Sequence, residues 1–281
     1  MTSALNKQDF IKMFNQIEIP SSKVVVHSSL SSFGHVEGGA DKVIDALLET
    51  YKTVMMPAFS WEANTCPPLD DRPENNGCYY SFYDNWDKPL TPFIIEKMGI
   101  EKSMGVISSE FIKREGVIRS DHAWHSWAVY GEGAREIIEN HDWNVTNLPL
   151  ERISQMGGYV LLLGVNLSSC TAIHIAEEKI GREPFIRWAI NRNMKVQRVK
   201  AAGCAKGFNN LLPYCTDIIT EFKLGNAIIY VAKINELIER TSQILSENPH
   251  ISVCSETCIR CKDAVLSGIK NSKYKNHNGR A

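Results

Sequence analysis

Apolar positions along the chain change period several times, and the changes mark out elements. Residues 5 to 17 carry Leu5, Phe10, Ile11, Phe14 and Ile17 at helical spacing, which predicts an opening amphipathic helix. "VVVH" (24–27) reads as a short buried strand, and Asp41 to Tyr51 as a helix with Val43, Ile44, Leu47 and Leu48 on one face. "TVMMPAF" (53–59) is a second strand, stopped by Pro57. A helix is expected around 93–114, a strand over "HSWAVYG" (125–131) and a helix over 133–141. "GGYVLLLGV" (157–165), a continuous apolar run between glycines, predicts a strand covered on both faces. "TAIHIAEEK" (171–179) follows as a short helix, and "AIIYVAKINELIERTSQIL" (227–245) reads as one long amphipathic helix.

Alternation of strands and helices without repeat or linker implies one α/β domain, a sheet between helix layers. It is expected to span 21–245, after an N-terminal helix within 1–20 and before a Cys-containing C-terminal segment and mobile tail at 246–281. The period fails over Trp61 to Pro92, where Pro, Asn, Asp and aromatics mix. A loop of that length is usually functional, and its two Trp, three Tyr and one Phe argue against disorder. A substrate-facing loop is expected there.

Composition narrows the function classes. Thirty-one Lys and Arg against 32 Asp and Glu give a formal net charge of −1, so nothing draws the chain to nucleic acid or an anionic membrane. No apolar run approaches the roughly 18 residues of a membrane span, and the acidic, amphipathic N-terminus is not a signal peptide. Eight cysteines in 281 residues are too sparse for a disulfide framework, which suits a cytoplasmic protein with reduced thiols. Cys254, Cys258 and Cys261 lie close enough to suggest zinc, with His250 or Cys204 as a fourth ligand. One knuckle alone is an incomplete signature, and no metal is assigned.

Candidate chemistry begins at the first turn. "HSSLSSFGHVEGGAD" (27–41) sets Ser28, Ser29, Ser31 and Ser32 and three glycines between a strand and a helix N-terminus. Such a turn offers hydroxyls and free N–H groups to an anion. It contains neither GxGxxG nor GxxxxGK[ST]. The longer stretch "VVVHSSLSSFGHVEGGADKVIDALLE" with "TVMMPAFSW" resembles the antibiotic N-acetyltransferase family, which includes the aminoglycoside 3-N-acetyltransferases. "GVIRSDHAWHSWAVYGEGA" is similar to that family's RSxHPxxS block, with Ala123 in place of its proline. "GGYVLLLGVNLSSCTAIHIAEE" and "KLGNA" are similar to two further blocks in the same order.

The resemblance implies a three-layer α/β/α fold with a central mixed sheet, distinct from the GNAT fold, and acetyl-CoA as co-substrate. It implies that Ser29, Ser31 and Ser32, with Arg119, Ser120 and Ser126, receive the carrier. It also implies that His174, in the block Thr171, His174, Glu177, is the general base. The residues agree: His174 follows a central strand by about ten positions, where open α/β sheets place ligands. Glu177, one helical turn on, can face its imidazole. A further supporting carboxylate is implied near 207–227, where Asn210, Asp217 and Glu221 compete and Glu221 is the choice. Ser168, Ser169 and Cys170 beside His174 raise a hydrolase or acyl-enzyme route, but no GxSxG elbow is present.

The resemblance therefore implies an acetyltransferase acting on an aminoglycoside-like amine by direct attack, with backbone N–H groups at a helix start as the oxyanion site. A cationic acceptor implies an acidic cleft, for which Glu62, Asp70, Asp71, Glu74, Asp84 and Asp87 are available; Asp87 also falls in a family-like "DKPLTP". Thr171 is assigned to the acceptor as well. The partners expected are CoA and a small amine, in a monomer or homodimer. Two rivals remain: the same chemistry on another biosynthetic amine, and a CoA- or metal-binding protein without turnover.

Overall fold

The computed structural model describes residues 4–278. Three parallel strands form its centre: β1 (Lys23–Ser28) lies between β2 (Thr53–Pro57) and β5 (Tyr159–Leu163). Antiparallel strands extend both sides. β4 (Trp127–Gly131) pairs with β2 and carries β3 (Ile118–Arg119), while β9 (Ala227–Lys233) pairs with β5 and carries β8 (Thr220–Leu224). The order is β3-β4-β2-β1-β5-β9-β8.

Alternation along the central strands explains the three layers. Val25, Met55, Val160 and Leu162 face a core completed by α4 (Ala134–Ile138), α5 (Leu148–Gln155), α6 (Ala172–Lys179) and α7 (Ile234–Glu247). Val24, Val26, Val54, Met56, Leu161 and Leu163 face the opposite core, closed by α1 (Lys7–Gln16), α2 (Gly39–Thr50) and α3 (Gly105–Phe111). Successive strand residues point to opposite faces, so an unbroken apolar run requires a helix layer on each.

Two expectations change. The helix expected over 93–114 shrinks to α3, because Phe93 N–H donates to Ile190 O and Glu101 N–H to Phe59 O, spending that backbone on distant segments. The long helix over 227–245 is β9 followed by α7: "AIIYVAK" pairs with both β5 and β8, and neighbouring strands outweigh its helical spacing. The polar end continues α8 (Ile259–Asn278), with 279–281 outside the described residues.

A hairpin, β6 (Phe185–Ile190) and β7 (Val196–Ala201), stands apart from the main sheet and organises the irregular loop. Asn76 exchanges hydrogen bonds with the Ile186 backbone at 2.7 and 3.0 Å, Thr65 N–H donates to Trp188 O, and Asp71 accepts from the Trp188 indole at 2.8 Å. The loop over 61–92 is thus held along the hairpin by its backbone.

Candidate active site

The parallel strands β1, β2 and β5 end on one edge of the sheet, where open α/β sheets bind ligands. A cavity of about 840 Å³ opens there, within the usual range for small-molecule sites. The turn after β1 walls one side with Ser28, Ser29 and Ser31. Phe59, Trp61 and Trp124 form an aromatic side, and Thr171 and His174 at the start of α6 face it.

His174 is held by a buried chain of charge. Its Nδ1 lies 2.7 Å from Glu177 Oε2; the other carboxylate oxygen accepts from Arg182 at 2.6 Å, and Arg182 also donates to Ser252 Oγ at 2.9 Å and to Pro249 O. His174 and Glu177 are buried, and the Phe208 ring meets the imidazole edge-on at 4.8 Å. A carboxylate accepting from Nδ1–H leaves the lone pair on Nε2. That atom makes no hydrogen bond among the described residues.

Two other buried imidazoles on the cavity differ. Burial pushes His27 down to about 4 and His125 down to about 3, so both are neutral at pH 7. His27 Nε2 and His125 Nδ1 are buried without partners, and His125 Nε2 accepts from Ala202 N–H at 3.2 Å. Of these three buried rings, only His174 has a carboxylate to hold its orientation and balance a positive charge.

The family model described as aminoglycoside 3-N-acetyltransferase matches residues 25–246. The chain belongs to that family. It is 33% identical over 170 residues to aminoglycoside N(3)-acetyltransferase III of Salmonella sp, covering 59% of this chain and 57% of that protein. It is 30% identical over 169 residues to the SPbeta prophage-derived aminoglycoside N(3')-acetyltransferase-like protein YokD of Bacillus subtilis, covering 58% and 61%. The matches thus span about three fifths of those curated relatives. Among solved structures, YokD superposes with a TM-score of 0.77 at 24% identity over 89% of this chain and 96% of that one. A binary complex of AAC-IIIb with CoASH superposes at 0.69 with 16% identity over 87% and 97%. These likenesses agree with the mixed-sheet, three-layer architecture.

The family's blocks fall into two groups in this chain. Ser29, Ser31, Thr171 and His174 line the cavity, with Glu177 behind His174, and the Ser29 and Ser31 hydroxyls are 3.2 Å apart. The others brace the walls. Ser32 Oγ donates to Gly164 O at 2.8 Å, joining the first turn to the end of β5. Arg119 donates to Met98 O, Ala58 O, Gly99 O and Ser126 Oγ, and the Ser126 hydroxyl in turn donates to Ala58 O. Ser120 Oγ accepts from Trp127 N–H and meets His141 Nδ1 at 2.9 Å. Arg119, Ser120 and Ser126 thus hold neighbouring segments together and are not among the residues that line the cavity. His122 belongs to the same knot: its Nδ1 accepts from Trp124 and His125 N–H, closing the turn where the family has proline. His141 is buried and stacked on His122 at 4.6 Å.

The assigned acidic residues also move. Glu221 is exposed on edge strand β8, opposite Tyr230, and does not line the cavity; the carboxylate beside His174 is Glu177. Asp217 is paired with Arg240 and Asn210 donates to Ile251 O. Asp84 and Asp87 are exposed and do not line the cavity; Glu62 accepts from Gly99 N–H at 3.0 Å, and Asp71 is bound to Arg198. Trp61 alone from the 61–92 loop reaches the cavity, and no carboxylate lines it among the described residues. At the start of α6, Ile173 N–H donates to Cys170 O and His174 N–H to Thr171 O.

Proximity missed in the sequence supplies Arg182, His27, His125 and Arg260. Arg182 lies five residues beyond Glu177, just after the helix, where helical periodicity gives no signal.

Proposed function

We propose that the protein transfers the acetyl group of acetyl-CoA to an amine of an aminoglycoside-like small molecule by direct attack. The pairing of His174 Nδ1 with Glu177 in a cavity walled by Ser29 and Ser31 carries this reading. The amine lone pair adds to the thioester carbonyl as His174 Nε2 takes the amine proton. Collapse of the adduct breaks the C–S bond and releases CoA thiolate, which takes a proton from the imidazolium or from solvent to leave as the thiol. Glu177, accepting from Nδ1–H, directs the Nε2 lone pair to the cavity before attack and faces the imidazolium after it, while Arg182 holds the other carboxylate oxygen of Glu177 in place. Ser29 and Ser31 hydroxyls, with Arg260 as the lone permanently charged side chain on the cavity wall among the described residues, suit the polar length of the carrier. Family membership and the CoASH complex of AAC-IIIb support the donor.

The lining favours a second reading of the acceptor. A polycation would meet Phe59, Trp61 and Trp124 but no carboxylate on the cavity wall, so an amine with a flatter, less charged body fits that wall better. Release of free thiol from acetyl-CoA, followed across a panel of aminoglycosides and of simpler aromatic and aliphatic amines, decides between them. Turnover with aminoglycosides supports the first reading, turnover confined to the other amines the second, and CoA binding without turnover on any amine removes both.

The two glutamates separate in the same assay. Glu177→Gln is expected to lower kcat on the order of 10-fold or more, since an amide can hold the wrong tautomer. Glu221→Gln is expected to leave kcat within about twofold, as an exposed position distant from the reaction. Equal losses would remove Glu177 from its orienting role.

A further inference from the structure

Cys204, at the end of the β7 arm, and Cys254, Cys258 and Cys261, at the start of the C-terminal segment, converge although 50 residues separate the first pair. Their four sulfur atoms all lie within 4.8 Å of one another. Cys254 Sγ is 3.7 Å from that of Cys204 and 3.6 Å from that of Cys261. A tetrahedral zinc ion with Zn–S bonds of ~2.3 Å sets its sulfurs about 3.8 Å apart. A disulfide would hold two of them at about 2 Å. The spacing is that of four ligands around one centre.

We propose that Cys204, Cys254, Cys258 and Cys261 form a tetrathiolate zinc site that clamps the C-terminal segment against the wall of the cavity. Chain geometry on both sides supports it. A methyl group on Gly207, three residues after Cys204, would come within 2.1 Å of Ser252 O and 2.9 Å of Cys254 N, so the two backbones run in contact and glycine is required. Asp263, two residues beyond Cys261, accepts from Gly77 N–H at 2.8 Å and anchors the helix on the irregular loop. Four thiols in a partly buried corner also repel one another once ionised, and a divalent cation relieves that repulsion. Zinc suits the set because four thiolates in tetrahedral array complete its shell and leave no open position for catalysis.

The clamp reaches the candidate active site along two paths. Ala202, Gly203 and Ala205 line the cavity around Cys204, and Ala202 N–H donates to His125. Arg260, between Cys258 and Cys261, lines the same cavity, while Ser252, two residues before Cys254, accepts from the Arg182 that holds Glu177. This consequence rests on the acetyl-transfer reading; the metal site itself does not.

The test measures bound metal on the purified full chain from zinc-supplemented growth, with denatured thiol titration. About one zinc per chain is expected, lost in Cys204→Ser and in Cys258→Ser. Cobalt(II) exchanged into the wild-type protein should give intense sulfur-to-metal charge-transfer bands and tetrahedral d–d bands, and stripping by a strong chelator should lower Tm. The wild-type stoichiometry and cobalt spectrum decide even where a serine variant does not fold. Eight titratable thiols without stoichiometric metal, fewer than eight thiols without metal, or iron in place of zinc each overturns the proposal. Because none of these readouts is acetyl transfer, loss of the metal site and loss of the enzymatic reading are separable.

Discussion

His174→Ala is expected to lower kcat by about 100-fold or more while CoA binding is kept, because the variant removes only the group that takes the amine proton. The local fold should survive the change: Glu177 retains its Arg182 partner, so no buried charge is stranded. Steady-state thiol release with a productive amine, paired with calorimetric titration of CoA, reads both quantities. Loss of CoA binding in step with kcat would mark His174 as a wall of the carrier site. Turnover within about threefold of the parent would move proton transfer to another group. His27 and His125 are weaker alternatives, since their burial favours neutrality without supplying a counter-charge for the imidazolium.

Acid is expected to unfold the protein at an unusually mild pH. Burial pushes His27 and His141 down to about 4, His125 down to about 3, and His122 well below its ordinary value. In the unfolded chain each takes a proton near pH 6.5. The folded state binds fewer protons than the unfolded state between that pH and about 4, so stability is full above 6.5 and lost as pH falls. At pH 5 the cost is ~2 kcal/mol per imidazole, or several kcal/mol for the group, against a typical total of about 5–15. Glu151 and Glu178, pushed up by burial, bind protons in the folded state and oppose the loss, but four rings outnumber two carboxyls. Tm measured from pH 7.5 to 4.5 should fall steeply through the lower half of that range; a flat profile would mean that the histidine knot is hydrated or protonated in the folded state.

Much of this molecule was legible along its chain. The runs "VVVH", "TVMM" and "YVLLL" are continuous apolar stretches because each strand faces a helix layer on both sides, so they identify the central sheet from period and composition alone. The i, i+3 spacing of His174 and Glu177 was also readable, since one helical turn sets their approach. The serines after β1 were readable as a turn, and the family's blocks ordered the rest. Strand-edge elements were less so: "AIIYVAK" has helical spacing of its apolar residues, and only its pairing to β5 and β8 makes it a strand.

Tertiary structure decided which polar residues face the cavity. Arg119, Ser120 and Ser126 sit in a family-like block, yet their hydrogen bonds are spent on Ala58, Met98, Gly99 and Trp127, partners that no local pattern reveals. Arg182 reaches Glu177, and Cys204 meets the C-terminal thiols, through chain reversals across the hairpin and helix layer. Local sequence determines period, turn chemistry and helix-turn pairs because those interactions act within a few residues. Long-range pairs depend on where whole elements come to rest, and that is set by burial summed over the core, so Arg182 behind Glu177, and Cys204 rather than His250 beside the three C-terminal thiols, were decided only in the folded molecule.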